Sequence, residues 1–206
     1  KAELVGNPVR QSVVDIPKRE VSSPINMLVV GGSLGAQVLN QTLPEAFKRL
    51  NDTCAINIWH QTGKGHLASV SESYQQQQMG NEQVTVAEFI DDMDTAYSWA
   101  DIVICRAGAL TVSEIAAAGK MAVFVPFPHA VDDHQTANAQ YLVMAEGALL
   151  MPQGQFNKRS IVELLSPYLA EPLLITKMAG KAKQQAILDA TASVAMHCEQ
   201  VTNKRT

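Results

Sequence analysis

A glycine-rich turn follows the first apolar run of the chain. Residues 31–36 read Gly-Gly-Ser-Leu-Gly-Ala, directly after Met-Leu-Val-Val. Glycines let the backbone approach a ligand closely, and a helix that begins after them offers free N–H groups and the positive end of its dipole. Ser33 adds a hydroxyl donor. The turn is a candidate phosphate site, although a tight strand-to-helix turn without a ligand would have the same residues.

A second turn of this kind lies at residues 105–119, Cys-Arg-Ala-Gly-Ala-Leu-Thr-Val-Ser-Glu-Ile-Ala-Ala-Ala-Gly. A helix that opens near Leu110 has Thr111 and Ser113 in its first turn, so free amides and hydroxyls could again receive a phosphate. Glu114 would repel a phosphate, but a carboxylate accepts two hydrogen bonds from a diol such as ribose. The simpler interpretation of this segment alone is that Glu114 complements the helix dipole.

Amides and acids follow a third apolar run, within residues 124–140. Gln135 and Asn138 lie one helical turn apart, and side-chain amides suit the hydroxyls of a sugar. A metal site formed by Asp132, Asp133 and His134 is the rival interpretation. Adjacent ligands at the start of a helix converge poorly, so this site is disfavoured. A helix N-cap is the simpler role for Asp132 or Asp133.

The remaining polar segments carry weaker signals. Residues 88–94, Glu-Phe-Ile-Asp-Asp-Met-Asp, are typical of a strand end and a helix cap, and the main chain around Ile90 could contact the edge of a base. Residues 63–65, Gly-Lys-Gly, lack the Ser/Thr and the upstream glycine of a P-loop, so we reject that motif. His60 has no partner at catalytic spacing, so we expect it to be exposed or hydrogen-bonded within the fold.

Short apolar runs alternate with helical patterns along the chain, which indicates βαβ units and a parallel sheet. Pro44 weakens the first of these helices and predicts a kink or a late start. The fold class is therefore α/β, a Rossmann-like doubly wound parallel sheet of about six strands, and ligands bind such sheets at the carboxyl ends of the strands. We expect strands at 26–32, 55–61, 84–90, 101–106, 121–127 and 148–152, and helices at 33–50, 66–78, 93–99, 110–119, 133–146, 157–169 and 172–198.

Composition excludes several classes of protein. The 206 residues are 47% hydrophobic and 17% charged, as in globular proteins, with a formal net charge of -4. No apolar stretch approaches the ~20 residues of a membrane-spanning helix, and the first ten residues lack a signal-peptide layout. Three scattered cysteines predict neither a disulfide framework nor a zinc site. The acidic balance argues against duplex nucleic acid as a partner but leaves a membrane surface open.

Six stretches, in this order, resemble the carboxy-terminal domain of the MurG family, the UDP-N-acetylglucosamine transferases that glycosylate lipid I in peptidoglycan synthesis. They are GNPVR at 6–10, LVVGGSLGAQVLN at 28–40, WHQTGKG at 59–65, EFIDDM at 88–93, CRAGALTVSEIAAAGK at 105–120 and VPFPHAVDDHQTANA at 125–139. The resemblance implies the carboxy-terminal, donor-binding half of a GT-B glycosyltransferase.

The resemblance also implies roles for individual residues toward the donor, UDP-GlcNAc. Arg10 and the main chain of Ile90 would face the uracil, and Ser33 would face the diphosphate. Glu114 would hold the ribose diol, and Gln135, with Asn138, would hold the GlcNAc hydroxyls. Five residues of the second turn would surround the phosphates and part of the sugar: Ala109, Leu110, Thr111, Val112 and Ser113.

The organisation that follows is a linker over 1–24, a donor-binding domain over 25–170, and a carboxy-terminal helix and tail over 171–206. The acceptor site for lipid I, the membrane contact and the general base are expected in an amino-terminal domain. No catalytic residue, metal or cofactor is therefore assigned to this chain, which we expect to bind the donor without turning it over. The intact protein is expected at the cytoplasmic face of the bacterial plasma membrane, as a peripheral protein.

Three alternatives stay open. The chain could belong to another GT-B enzyme, such as a lipid glycosyltransferase or a UDP-GlcNAc epimerase. It could be a dinucleotide-binding oxidoreductase module, although the first turn is not G-x-G-x-x-G and no acidic residue ends the second strand. It could also be a nucleotide-binding domain without catalytic activity.

Overall fold

The computed structural model describes residues 5–32, 36–128 and 133–203. Six strands form one sheet in the order β3-β2-β1-β4-β5-β6, and every neighbouring pair is parallel. The expected fold class, a Rossmann-like doubly wound parallel sheet, is confirmed. The strands are β1 (Ile25–Val30), β2 (Ile56–Gln61), β3 (Val84–Ala87), β4 (Ile102–Cys105), β5 (Met121–Phe124) and β6 (Ala148–Leu150).

The helices connect successive strands and then close the chain. They are α1 (Gln11–Val14), α2 (Gln37–Asn51), α3 (Leu67–Gln76), α4 (Met93–Trp99), α5 (Ala109–Ala118), α6 (His134–Val143), α7 (Lys158–Ala170), α8 (Pro172–Gln184) and α9 (Ala190–Asn203). Among the residues described, no helix is both long enough and apolar enough to cross a bilayer.

The central strands are continuous apolar runs because both faces of the sheet are covered. In β1, Met27 and Val29 pack into one core, while Leu28, which lies between them, packs into the other. Helices α2, α3 and α7 cover the first face, and α1, α4, α5 and α6 cover the second. Helix α8 contributes to both cores, through Ile175 on one side and Ala182 on the other.

The expected single helix over 172–198 is wrong, because the chain forms two helices with a break after Gln184. The hydroxyl of Tyr141, on α6, donates to the carbonyl of Gln185. In a longer helix this carbonyl would accept a hydrogen bond from a main-chain amide. Ile187, within the break, packs against Gly6, where an added Cβ would lie 2.9 Å from the Ile187 side chain. Helix α2, by contrast, continues through Pro44 to Asn51.

The order of the strands places two helix starts at the centre of the sheet. Val30, the last residue of β1, is in register with Cys105, the last residue of β4. Helix α2 follows β1 on one face, and α5 follows β4 on the other. The two connections diverge at this point, which is where open α/β sheets have their ligand crevice.

Candidate functional site

Two strand-to-helix turns lie side by side at the carboxyl edge of the sheet. Gly31 and Gly32 follow β1, and Ala107 and Gly108 follow β4. Gly32 has a φ of +81°, a conformation that glycine adopts at low cost. Gly31 lines a cleft of about 750 Å³. Ser33, predicted to contact a diphosphate, lies outside the described residues.

The start of α5 offers backbone donors. Its N-cap is Gly108, and no side chain among the described residues caps it. The first helical hydrogen bond runs from the Val112 amide to the Gly108 carbonyl, so the amides of residues 109–111 precede the helical ladder. Ala109, Leu110 and Thr111 therefore present N–H groups at the positive end of the helix dipole.

Two further residues predicted for this turn already have partners within the fold. The side chain of Val112 is buried in the second core, and its amide is the one bonded to Gly108. The hydroxyl of Ser113 donates to the Ala109 carbonyl at 3.0 Å and accepts from Nδ2 of Asn7, also at 3.0 Å. Asn7 belongs to the segment before α1 and was not among the residues predicted for the site.

Glu114 lies one turn into α5 among charged and hydroxyl groups. Its Oε2 accepts from the Tyr97 hydroxyl at 3.1 Å, and its Oε1 lies 3.6 Å from the Arg10 guanidinium. Burial raises the pKa of this carboxyl, while the Tyr97 hydrogen bond and the Arg10 charge oppose that rise. An ionised carboxylate has about four acceptor sites, so the contacts with Tyr97 and Arg10 leave this partly buried group with capacity for the hydroxyls of a diol.

Arg10, predicted to face a uracil, is half-exposed and contacts two acids. Its guanidinium lies 3.2 Å from Oδ1 of Asp94 as well as close to Glu114. The Asp94 oxygen is buried and accepts no hydrogen bond from the described residues, so the contact with Arg10 is electrostatic. The single positive charge of Arg10 therefore lies against the negative charges of two carboxylates.

Ile90 follows β3 and precedes α4. Its side chain packs partly against the second core, and the strand ends three residues earlier, at Ala87. The expected helix cap in this segment is confirmed, because Asp92 accepts from the Thr95 amide at 3.0 Å. Arg10 contacts the same helix through Asp94. The two residues predicted for the uracil, Arg10 and Ile90, therefore both lie near the start of α4.

Gln135 and Asn138 both lie on α6 but line different cavities. Gln135 lines the cleft that contains Gly31, and its Oε1 accepts from the Phe127 amide at 2.9 Å. Asn138 lines a smaller cavity of about 230 Å³ beside Asn7, and its Nδ2 donates to the Ala107 carbonyl at 3.1 Å. The structure thus brings Gln135, but not Asn138, into the cleft beside the first glycine turn.

Arg106, which was not among the residues predicted for the site, also lines this cleft. Its Nη1 donates to the carbonyls of Val125 and Pro126, at 2.9 and 3.2 Å, and its Nη2 donates to Oε1 of Gln153 at 2.7 Å. Burial lowers the pKa of the guanidinium, which nevertheless stays charged at neutral pH. A signal was present, since an arginine directly after a buried strand stands at the ligand-binding edge.

A buried polar network lies behind the first turn. The ring of His60 contacts the Tyr74 hydroxyl through Nδ1 at 2.8 Å and Oδ1 of Asn40 through Nε2 at 3.0 Å. Asn40, on α2, also donates to the Thr62 carbonyl at 3.0 Å. Burial lowers the pKa of His60 to about 3. The expectation of a histidine hydrogen-bonded within the fold is confirmed.

Asp133, at the start of α6, contacts its own helix. Asp133 occupies the N-cap position, but its Oδ1 accepts from the Thr136 hydroxyl and from no helix amide among the described residues. Asp132, the other candidate cap and candidate metal ligand, lies outside those residues. Within 5–32, 36–128 and 133–203, no three His, Cys, Asp or Glu side chains form a group that could hold a metal ion.

Comparison with known proteins shows the family of the chain. A family model described as the glycosyltransferase family 28 C-terminal domain matches residues 26–194. The chain is 78% identical, over 100% of its own length and 57% of the relative, to the UDP-N-acetylglucosamine--N-acetylmuramyl-(pentapeptide) pyrophosphoryl-undecaprenol N-acetylglucosamine transferase of Pseudoalteromonas translucida. It is 51% identical to the protein of the same name from Psychromonas ingrahamii, over 98% of this chain and 56% of that relative.

The crystal structure of Acinetobacter baumannii MurG superposes with a TM-score of 0.83 at 40% identity. That match covers 91% of this chain and 55% of the crystallised one. The chain thus spans a little more than half the length of these relatives. These matches confirm the resemblance that the six motifs predicted, and the chain belongs to the family defined by the glycosyltransferase family 28 C-terminal domain.

Proposed function

We propose that this chain is the donor-binding half of a transferase that moves GlcNAc from UDP-GlcNAc to lipid I, giving lipid II for peptidoglycan. The observation that carries the proposal is the adjacency of the two turns after β1 and β4, with Gln135 in the same cleft as Gly31. The amides of residues 109–111, which precede the hydrogen-bond ladder of α5, suit a diphosphate. The high identity to relatives with that name supports the sugar and the acceptor.

The reaction would be a direct displacement with inversion at the anomeric carbon. The muramyl hydroxyl oxygen of lipid I bonds to C1 of GlcNAc, its proton passes to a base, and the C1–O bond to the diphosphate breaks. The electron pair of that bond leaves with UDP, so negative charge grows on the diphosphate. Preorganised amides at a helix start stabilise such charge without reorganisation during the reaction.

The other parts of the reaction belong to the remainder of a longer protein. The acceptor site, the general base and a peripheral contact with the cytoplasmic face of the membrane would lie outside this chain. Arg10 and the Ile90 main chain would hold the uracil, Ser33 the diphosphate and Glu114 the ribose diol. By this proposal, the 206-residue chain binds UDP-GlcNAc but does not transfer its sugar.

Calorimetric titration of the chain tests the proposal directly. UDP and UDP-GlcNAc should both bind with one site, and NAD should give no heat of binding. Failure to bind UDP, or binding of NAD in its place, would refute the donor-binding function and favour the dinucleotide module. In the full-length protein that contains this chain, lipid I should act as acceptor and diacylglycerol should not.

A further inference from the structure

The side chain of Arg106 ties the end of β4 to the loop that follows β5. Two of its hydrogen bonds end on main-chain carbonyls of that loop, those of Val125 and Pro126. The guanidinium carbon also lies 5.5 Å from the centre of the Phe127 ring, within the range of a cation–π contact. Arg106 therefore contacts three successive residues of the β5–α6 loop.

The same loop also contacts Gln135, on α6. The amide of Phe127 donates to Oε1 of Gln135 at 2.9 Å, and Phe127 is the residue whose ring the guanidinium covers. A continuous set of contacts thus runs from Arg106 through Phe127 to Gln135. Because a main-chain N–H can only donate, the oxygen of the Gln135 amide must face it. The group that Gln135 offers to a ligand in the cleft is consequently its Nε2 donor.

We propose that Arg106 is a positioning residue for sugar recognition, which holds the β5–α6 loop so that Gln135 is fixed as a hydrogen-bond donor to the sugar. The inference rests on the proposed function, because it takes the ligand of the cleft to be a nucleotide sugar. Gln135 would then recognise an acceptor oxygen of that sugar. A polar group that is preset in this way discriminates strongly against a ligand that lacks its partner.

The rival role for Arg106 is direct contact with the diphosphate. Arg106 lines the cleft beside Gly31, and guanidinium groups bind phosphates well. The contacts favour positioning, since Nη1 serves two carbonyls and Nη2 serves Gln153. If Arg106 binds the diphosphate, replacing it weakens the binding of UDP and UDP-GlcNAc alike. If Arg106 anchors the loop that positions Gln135, replacing it weakens the binding of UDP-GlcNAc alone.

The test compares the affinities of UDP and UDP-GlcNAc in the 206-residue chain. Arg106→Met removes the guanidinium, and Arg106→Lys keeps the charge but loses the fork that joins the two carbonyls to Gln153. Both variants should weaken UDP-GlcNAc by about tenfold or more while UDP affinity is unchanged. Arg159→Met is the matched control, because it removes one positive charge from an exposed site on α7.

Each alternative outcome is informative. A parallel loss of UDP and UDP-GlcNAc in either arginine variant overturns the positioning role in favour of a phosphate ligand. Unchanged binding of both ligands overturns it as well. If Arg106→Met does not fold, as judged by its thermal unfolding, Arg106→Lys decides between the same two patterns.

A double variant tests the route through Gln135. If Arg106 acts through that residue, Arg106→Met combined with Gln135→Met should bind UDP-GlcNAc no more weakly than Gln135→Met alone. Additive losses overturn the inference. Failure of the unaltered chain to bind UDP refutes the proposed function itself, whereas UDP binding with additive losses refutes only the role of Arg106.

Discussion

His60 faces Asn40 across the buried network, with its Nε2 3.0 Å from Oδ1 of Asn40. Nδ2 of the same amide donates to the Thr62 carbonyl, so the atom facing the ring is the oxygen. The ring must therefore carry its hydrogen on Nε2 and accept the Tyr74 hydroxyl at Nδ1. Protonation of Nδ1 would remove the acceptor of the Tyr74 hydroxyl within a buried site, which agrees with the lowered pKa of His60.

This tautomer predicts a loss of stability in mild acid. The pKa of His60 falls from 6.5 to about 3 on folding, so the unfolded chain takes up a proton that the folded chain refuses. Stability that is complete above pH 6.5 is lost as the pH falls toward 3, by about 1.4 kcal/mol per pH unit from this group. Urea unfolding at pH 7, 6 and 5 measures the slope.

His60→Gln should reduce the dependence of the unfolding free energy on pH by the amount that one proton contributes, about 1.4 kcal/mol per pH unit, whatever it does to stability at pH 7. Nitrogen NMR of the unaltered chain should also report a neutral ring protonated at Nε2. An Nδ1–H tautomer, or an unchanged slope in His60→Gln, would contradict the network as described.

Glu114 gives a prediction about the nucleotide half of the ligand. Glu114→Ala removes the acceptor proposed for the ribose diol, at a cost of about 1.5–3 kcal/mol for hydrogen bonds to a charged group. UDP and UDP-GlcNAc should therefore weaken by the same factor, about tenfold to a hundredfold, in calorimetric titrations. Glu163→Ala, on the exposed face of α7, serves as control. Unchanged UDP affinity in Glu114→Ala would remove the ribose role.

Gln135 gives a complementary prediction about the sugar half. Gln135→Glu keeps an oxygen for the Phe127 amide but replaces the Nε2 donor by an acceptor. UDP-GlcNAc should weaken by about tenfold or more relative to UDP, because the lost donor affects the sugar alone whereas the added charge acts on the diphosphate of both ligands. Binding of the two ligands by the Gln135→Glu variant, compared in one set of titrations, checks this. Equal losses would place Gln135 at the nucleotide instead.

Two glycines near α8 predict opposite changes in stability. A Cβ on Gly147 would lie 2.8 Å from the main chain of Ala182, so Gly147→Ala must separate the end of α6 from α8. We expect a loss of about 1–3 kcal/mol in urea unfolding. Gly180, inside α8, has open space around its Cβ position, and Gly180→Ala should add about 0.5–1 kcal/mol. A stabilising Gly147→Ala would show that the helices are not in close contact.

Local sequence was sufficient for most of the fold because parallel strands are covered on both faces. The runs at Met27–Val30 and Ile102–Cys105 are continuous and branched, as buried strands are, and the turns after them contain glycine. Alternation with helices then leaves few possible topologies. The carboxyl-edge rule placed both turns at one edge of the sheet, and the register of Val30 with Cys105 shows that they are neighbours there.

The features that escaped prediction depend on contacts between distant parts of the chain. The hydroxyl of Tyr141 bonds to the carbonyl of Gln185, 44 positions away and just after the end of α8, and no local pattern could indicate this contact. Arg106 bonds to carbonyls of the loop after the neighbouring strand, so its role required the strand order. The separation of Gln135 and Asn138 into two cavities depended on where α5 packs, although their spacing along α6 was plain.

The segment before α1 is attached to the same helix that carries the proposed ribose carboxylate. Asn7 is bonded to Ser113, and Arg10 faces Glu114. By the proposed function a nucleotide contacts Arg10 through its uracil and Glu114 through its ribose, so it replaces the direct contact between these two residues by its own contacts to both. Thermodynamic linkage makes the effect mutual: any force that pulls the segment away from α5 changes nucleotide affinity by the same factor by which the nucleotide changes that separation.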